Sequence, residues 1–279
     1  MNTATQGFLA RARRSTQFVV GITLVTLFVL VALFGPLVSP HSPTAQKMSL
    51  RLRPPSAEYP LGTDDFGRDV LSRILHGAMP SLQVSFFSVA GSLVVGVVLG
   101  LVAGYRGGWL DTLLMGIMDV LLAFPAVLLA IALLAVLGTA LSNVILAIAL
   151  VNLPTFARLT RASTLATREL LYVEAARALG VSPARIAFRH ILPNIAAPLI
   201  VQTSLTIATA ILIEASLSYL GLGIQPPHPS WGNILASTYG FVQTNPWPSL
   251  FAGVAISLAV LGFNLLGDGL RDTLDPTIR

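Results

Sequence analysis

The side chains that could do chemistry are few and widely spaced. A phosphate-cradling loop requires G-x-x-x-x-G-K-[ST]. The single Lys stands in Ala45-Gln46-Lys47-Met48, with no glycine-rich run before it. The four His (41, 76, 190 and 228) are scattered, and with Asp and Glu they form no metal-ligand spacing. Neither H-x-x-E-H nor G-x-S-x-G occurs. An enzyme acting alone is therefore not expected, nor a cofactor or metal. Two carboxylates, Asp119 and Glu214, stand inside long apolar runs, and no Lys or Arg within those runs can pair with either. They suit a polar path or an interhelical hydrogen bond better than a proton relay. The densest polar chemistry is a segment at 158–194 that carries six Arg.

The elements that hold these groups follow from composition. Of 279 residues, 54% are hydrophobic and only 10% charged, against about 25% charged in soluble domains. Cys is absent, which excludes a disulfide scaffold, and the apolar content excludes disorder. A bilayer crossing takes about 20 apolar residues in a helix. Six stretches meet that length: Phe18–Leu37, Leu82–Gly104, Thr112–Leu137, Thr139–Ala157, Ile195–Tyr219 and Leu250–Gly267. The first follows Arg11, Arg13 and Arg14 like a signal peptide. Its run is longer than a signal core, and no A-x-A-like site precedes Pro36, so it reads as a retained anchor.

Lys and Arg set the orientation. With the N-terminus inside, one face holds twelve of them and the other five. Both termini are thus expected in the cytoplasm, and the net charge of +5 is a statement of topology, with no nucleic-acid partner. The chain divides into a cytoplasmic N-terminus (1–17), an N-terminal helix (18–37), an extracytoplasmic segment (38–81), a membrane domain (82–267) and a cytoplasmic tail (268–279). Outside, Ser39–Pro80 is irregular in its first half, with Asp69–His76 as a short interfacial helix. Gly221–Ser249, with five Pro, reads as a loop or re-entrant turn. Gly96, Gly100 and Gly104 share one helix face, suited to close packing on a partner subunit or on another helix of this chain.

The inner segment 158–194 has helical spacing from Arg158 to Leu179, with Leu159, Ala162, Ala166, Leu170 and Val173 on its apolar side. Gly180 fits the left-handed position that ends a helix. Ser182 is a suitable N-cap and Pro183 a first helical residue. A second short helix, Pro183–His190, must then stop before Pro193. Small Ala175, Ala176 and Ala178 beside Glu174 and Arg177 leave a low surface on which another protein can close. The same residues also suit a solvated loop that only obeys the positive-inside rule.

The run Glu174-Ala175-Ala176-Arg177-Ala178-Leu179-Gly180, with Ile186 and His190-Ile191-Leu192-Pro193-Asn194 after it, resembles the EAA loop of ABC importer permeases. Further matches are Pro60-Leu61-Gly62-Thr63-Asp64-Asp65-Phe66-Gly67-Arg68-Asp69 and Glu214-Ala215-Ser216-Leu217-Ser218-Tyr219-Leu220-Gly221. Ser230-Trp231-Gly232, Asn264-Leu265-Leu266-Gly267-Asp268-Gly269 and Leu274-Asp275-Pro276 complete the set. Together they are similar to the C-type permease of the dipeptide/oligopeptide/nickel import family, from about residue 10 onward. One departure is Tyr219, where the family often has Phe.

The resemblance implies an all-α membrane protein of six transmembrane helices: a five-helix importer core and one N-terminal helix, in a prokaryotic inner membrane. It implies a second homologous permease subunit, two cytoplasmic ATPase subunits, an extracytoplasmic solute-binding protein and lipid as partners. The ATPase would meet the loop through Tyr172, Glu174, Ala175, Ala176, Arg177, Gly180, Ser182 and Ile186. Asp119, Glu214 and Asn264 would line the translocation path or make interhelical polar contacts. An ion-coupled transporter or channel, and a purely structural membrane subunit, are the competing classes.

Overall fold

A computed structural model describes residues 11–274. Residues 1–10 and 275–279 lie outside the described residues. The start of the expected N-terminal segment and the Asp275-Pro276 end of the last motif fall there. Among the described residues the regular structure is helical, with one isolated bridge between Thr63 and Asp69.

Backbone polar groups in hydrocarbon must be satisfied within the segment, so the apolar runs close into helices. The elements are α1 (Thr16–Val38), α2 (Val70–Arg106), α3 (Gly108–Leu122), α4 (Ala126–Leu137) and α5 (Leu141–Arg168). Then follow α6 (Leu171–Ala178), α7 (Pro183–Arg185), α8 (Ala196–Tyr219), α9 (Trp231–Tyr239) and α10 (Trp247–Leu274). Between α7 and α8 the chain stays helical through a π turn at Ile186–Ile191 and a 3-10 turn at Leu192–Ile195. Five described segments are long and apolar enough to cross a membrane, and α3 with α4 forms a sixth that is bent by 94°.

The core is the parallel contact of α2 with α5. Gly96, Gly100 and Gly104 lie against Phe156, Ala157, Thr160 and Thr164, so the glycine face meets another helix of this chain. A Cβ at Gly100 would stand 2.5 Å from the Ala157 carbonyl oxygen. Ser92 Oγ donates to the Ala149 carbonyl at 2.8 Å, and Ser204 Oγ to that of Phe263 at 2.8 Å. Such bonds tie α2 to α5 and α8 to α10 where lipid offers no hydrophobic drive between helices. The N-terminal helix α1 packs on α10 and α2 and leaves an apolar flank, including Leu27, Leu30, Leu33 and Phe34, exposed as a lipid-facing surface.

Several expectations are corrected. The third span is broken at Ala123–Pro125, because Pro125 adopts extended backbone and starts a new helix. By contrast, Pro154 stays inside α5 and Pro80 inside α2. Asp69–His76 is no separate interfacial helix but the opening of α2, capped by Asp69, whose carboxylate accepts from the Ser72 N–H at 3.0 Å. The proline-rich outer loop contains a helix, α9. Ser230 accepts from the Asn233 N–H at 3.2 Å while Asn233 accepts from the Ser230 N–H at 3.0 Å, a reciprocal capping box. The helix expected from Arg158 to Leu179 breaks at Glu169–Leu170, where Leu170 is extended. The break turns Val173 and Ala176 inward. The helix from Pro183 does not stop before Pro193, because Pro193 sits in the first turn of a new helical segment, where a missing N–H costs nothing.

Candidate functional site

At the Arg168 end of the bundle, α6, the turn after it and α7 form a compact element. Arg168 pins its start: Nη1 donates to the Gly104 carbonyl at 2.8 Å, at the end of α2, and Nε donates to Glu169 at 2.8 Å. Val173 and Ala176 are buried in one apolar cluster with Ile186 and Ile191. The helix ends with two bonds, Val181 N–H to the Ala176 carbonyl at 3.1 Å and Gly180 N–H to that of Arg177 at 3.0 Å. Gly180 has φ +74°. This is the Schellman geometry, for which glycine is favoured. Ser182 stands at the cap position of α7 with extended backbone, yet its side chain makes no capping bond. The Ser182 carbonyl accepts from the Ile186 N–H at 3.0 Å instead.

Tyr172, Glu174, Ala175, Arg177, Gly180 and Ser182 thus share one exposed element, whereas Ala176 and Ile186 serve its interior. Tyr172 donates to the His190 carbonyl at 3.4 Å, and the Arg177 guanidinium lies 5.9 Å from the Tyr105 ring. Around the small Ala175, Ala178 and Ala184 stand large apolar side chains open to solvent: Leu171 at 83% exposure, Leu179 at 84% and Phe188 at 55%. The rest of the chain leaves this apolar shoulder uncovered.

The polar groups of the spans are placed differently from one another. No Lys or Arg within the expected spans could pair with Asp119; its partner is Arg158, just beyond the fourth span, because α5 continues past that span's end and presents the side chain. Two turns earlier on α3, Asp111 is held by Arg161 through two hydrogen bonds, Nη2 to Oδ2 at 2.6 Å and Nε to Oδ1. Glu214 is fully buried at the other end of the bundle. Ser218 Oγ donates to it at 2.7 Å and accepts from the Ile224 N–H at 3.1 Å. Asn264 lies half-buried on α10.

The structure adds a site that residue types alone did not expose. Buried Asp64 accepts from the N–H groups of Phe66 and Arg68, both at 2.9 Å, and from Arg68 Nε at 2.6 Å. Arg73 Nε is 3.4 Å from the same carboxylate. Arg73 also donates to the Pro43 carbonyl at 3.3 Å and to Asn233 at 3.5 Å. This charge knot fastens segment 39–69 to α2 and α9, and Asn245 adds a bond to the Arg53 carbonyl at 3.2 Å. Burial and the adjacent Asp64 push the Asp65 carboxyl above its ordinary value. The signal was present as Asp64, Arg68 and Arg73 at spacings of four and five. Among the described residues no group of His, Asp and Glu could hold a metal ion.

The comparisons agree with this layout. Residues 96–279 match the family described as binding-protein-dependent transport system inner membrane component. Residues 3–55 match the N-terminal membrane domain of oligopeptide transport permease C. The chain is 51% identical to a dipeptide transport system permease of Alkalihalophilus pseudofirmus, over 96% of this chain and 88% of that one. It is 45% identical to a di/tripeptide transport system permease of Pseudomonas aeruginosa, over 93% and 88% of the two chains. A glutathione transport system permease of Pectobacterium atrosepticum is 48% identical, over 81% of this chain and 75% of the other. Among solved structures, a chain of the inward-facing MetNI methionine ABC transporter superposes with TM-score 0.60 at 21% identity. That match spans 72% of this chain and 96% of the other. The two-part family match, the sequence kinship and the shared fold converge: the chain belongs to the multi-pass inner-membrane permease subunits of binding-protein-dependent ABC importers, membrane components that carry no catalysis of their own.

Proposed function

We propose that this permease forms half of an import path for di- or oligopeptides, together with a second homologous permease subunit. A permease of an ABC importer works with ATPase partners. Here one of two ATPases meets the chain from the cytoplasm through the element 171–188, and an extracytoplasmic binding protein delivers the solute. Both termini then lie in the cytoplasm. The observation that carries the reading is the open shoulder of Leu171, Leu179 and Phe188 around Ala175, Ala178 and Ala184. An apolar surface of this kind, set at the end where Arg is densest, is built to be covered by a soluble partner. Peptide cargo is supported by relatives named for dipeptide, di/tripeptide and glutathione transport. Closing of the ATPase pair would rock the two permeases between inward- and outward-facing states as rigid bodies.

The test is uptake of a labelled dipeptide into vesicles that carry the full set of subunits. Uptake is expected to require ATP and the co-expressed ATPases, and to be indifferent to an uncoupler. Uptake by this chain alone, abolished by an uncoupler and independent of ATP, would establish the ion-coupled reading in its place.

A further inference from the structure

We propose that the cleft between α3 and α5 is a water-filled section of the solute's route, in which Asp119 and Arg158 part to receive the ammonium and carboxylate ends of a peptide in transit. The inference rests on the peptide-import reading above.

Depth is the first observation. Asp119 lies eleven residues beyond the start of α3 and Arg158 ten residues before the end of α5. At about 1.5 Å per residue, Asp119 stands roughly 10 Å inside an apolar run that starts at Thr112. Arg158 is the first residue beyond the apolar run Thr139–Ala157, so the pair lies toward the Arg168 end of a core about 30 Å thick. Exposure is the second. The Asp119 and Arg158 side chains are 60% and 50% open. An open ion pair at this depth is not set against hydrocarbon; it faces water or protein.

The third observation is continuity. Asp111, Met115 and Asp119 recur every four residues on one face of α3. From α5, Arg161 meets Asp111 and Arg158 meets Asp119. A charged stripe therefore leads from the helix end into the apolar part of α3, the pattern of a wetted wall. Met115, Asp119, Arg158, Arg161 and Ala162 line a cavity of about 390 Å³ there, in the size range of small-molecule sites.

The two rungs of this stripe differ. Asp111 and Arg161 share two bonds and are the more enclosed, which suits a fixed brace. Asp119 and Arg158 share one contact, through Arg158 Nη2, and are open, which suits exchange. A zwitterion entering between them replaces one ion pair by two of the same kind. No unpaired charge is then left in a low-dielectric site.

The sequence contains no Cys, so single cysteines can be read directly in the complete complex, with accessible cysteines of the partner subunits replaced. Met115→Cys and Ala162→Cys are expected to react with a charged, membrane-impermeant methanethiosulfonate. A lipid-facing control, Val94→Cys, is expected to stay unlabelled. Addition of dipeptide with its binding protein and ATP is expected to slow the labelling. Asp119→Asn and Arg158→Gln should each lower dipeptide uptake per ATP hydrolysed by about tenfold, the scale of a lost charged hydrogen bond. The reversed pair Asp119→Arg with Arg158→Asp should recover part of that loss.

Cysteines at 115 and 162 as unreactive as the control would place this face against another subunit and overturn the proposal. Wild-type uptake per ATP in both neutralised variants would overturn the assignment of the pair. A wild-type complex that imports no peptide would instead defeat the functional reading and the ligand named here, while the labelling would still decide whether the cleft holds water.

Discussion

The N–H of Val181 meets the carbonyl of Ala176 at 3.1 Å, and this bond sets the angle between the two arms of the exposed element. It reverses the chain directly after α6, so that α7 leaves beside it and the outward faces of both arms form one surface. Buried Val173, Ala176, Ile186 and Ile191 hold the arms together from within.

Gly180 has φ +74° and open space around its missing side chain, so a substitution there is opposed by backbone conformation alone. Gly180→Val should keep the protein in the membrane but lower substrate-stimulated ATP turnover of the assembled complex, at a local cost of about 1–3 kcal/mol. Gly180→Asn, which tolerates the left-handed region, should retain most turnover. Equal, normal turnover in both variants would show that this turn does not govern coupling.

A different glycine responds to volume. Gly100→Leu must displace the Ala157 carbonyl and Thr160, and should destabilise the chain by about 1–3 kcal/mol or more. Gly116→Ala meets nothing within 4 Å and should be neutral, or stabilising by up to about 1 kcal/mol. Thermal unfolding of the two purified proteins in detergent measures the contrast.

Trp231 is buried at 1% exposure, donates Nε1–H to the Ile74 carbonyl at 3.2 Å and packs edge-on to Phe28 at 5.5 Å. Trp231→Ala should cost about 3–5 kcal/mol and loosen α1 from α9 together. A large drop in melting temperature is the expected reading, with Trp231→Phe intermediate.

Leu179 and Phe188 bear no load inside the chain, being exposed. Leu179→Asp and Phe188→Asp should leave melting temperature unchanged. ATPase retention on co-purification should fall at least about tenfold, the effect of losing a centrally buried interface anchor. Full retention in both would remove the shoulder from the docking surface.

The parts legible in the sequence are those that one physical cause decides. Long apolar runs became helices because lipid leaves the backbone no other partner. Gly180 ended α6 because its backbone had to turn left-handed. The Gly96, Gly100 and Gly104 face was legible as a contact but not as to whose, since a glycine groove does not record which helix fills it. Pro125 broke a span while Pro154 did not, although both stand in apolar runs; the outcome depends on what the neighbouring helices require. The charge partners were the least legible. Arg158 and Asp119 are 39 positions apart, and no local pattern links them until α3 and α5 lie side by side. Asp64 stands in a legible motif, but segment 39–69 has no periodicity to show what the motif fastens to.

From Pro183 to Tyr219 the backbone runs through four helical segments without an intervening loop, about 55 Å at 1.5 Å per residue. A strut of that length has no slack in which a displacement can be lost. Its far end holds Glu214 and, through Ser218, the N–H of Ile224 at 3.1 Å. Force applied at the Pro183 end therefore reaches the Glu214 end as motion of one body, and the π turn at Ile186–Ile191 with the 3-10 turn at Leu192–Ile195 after it is where the strut departs from regular α-helix.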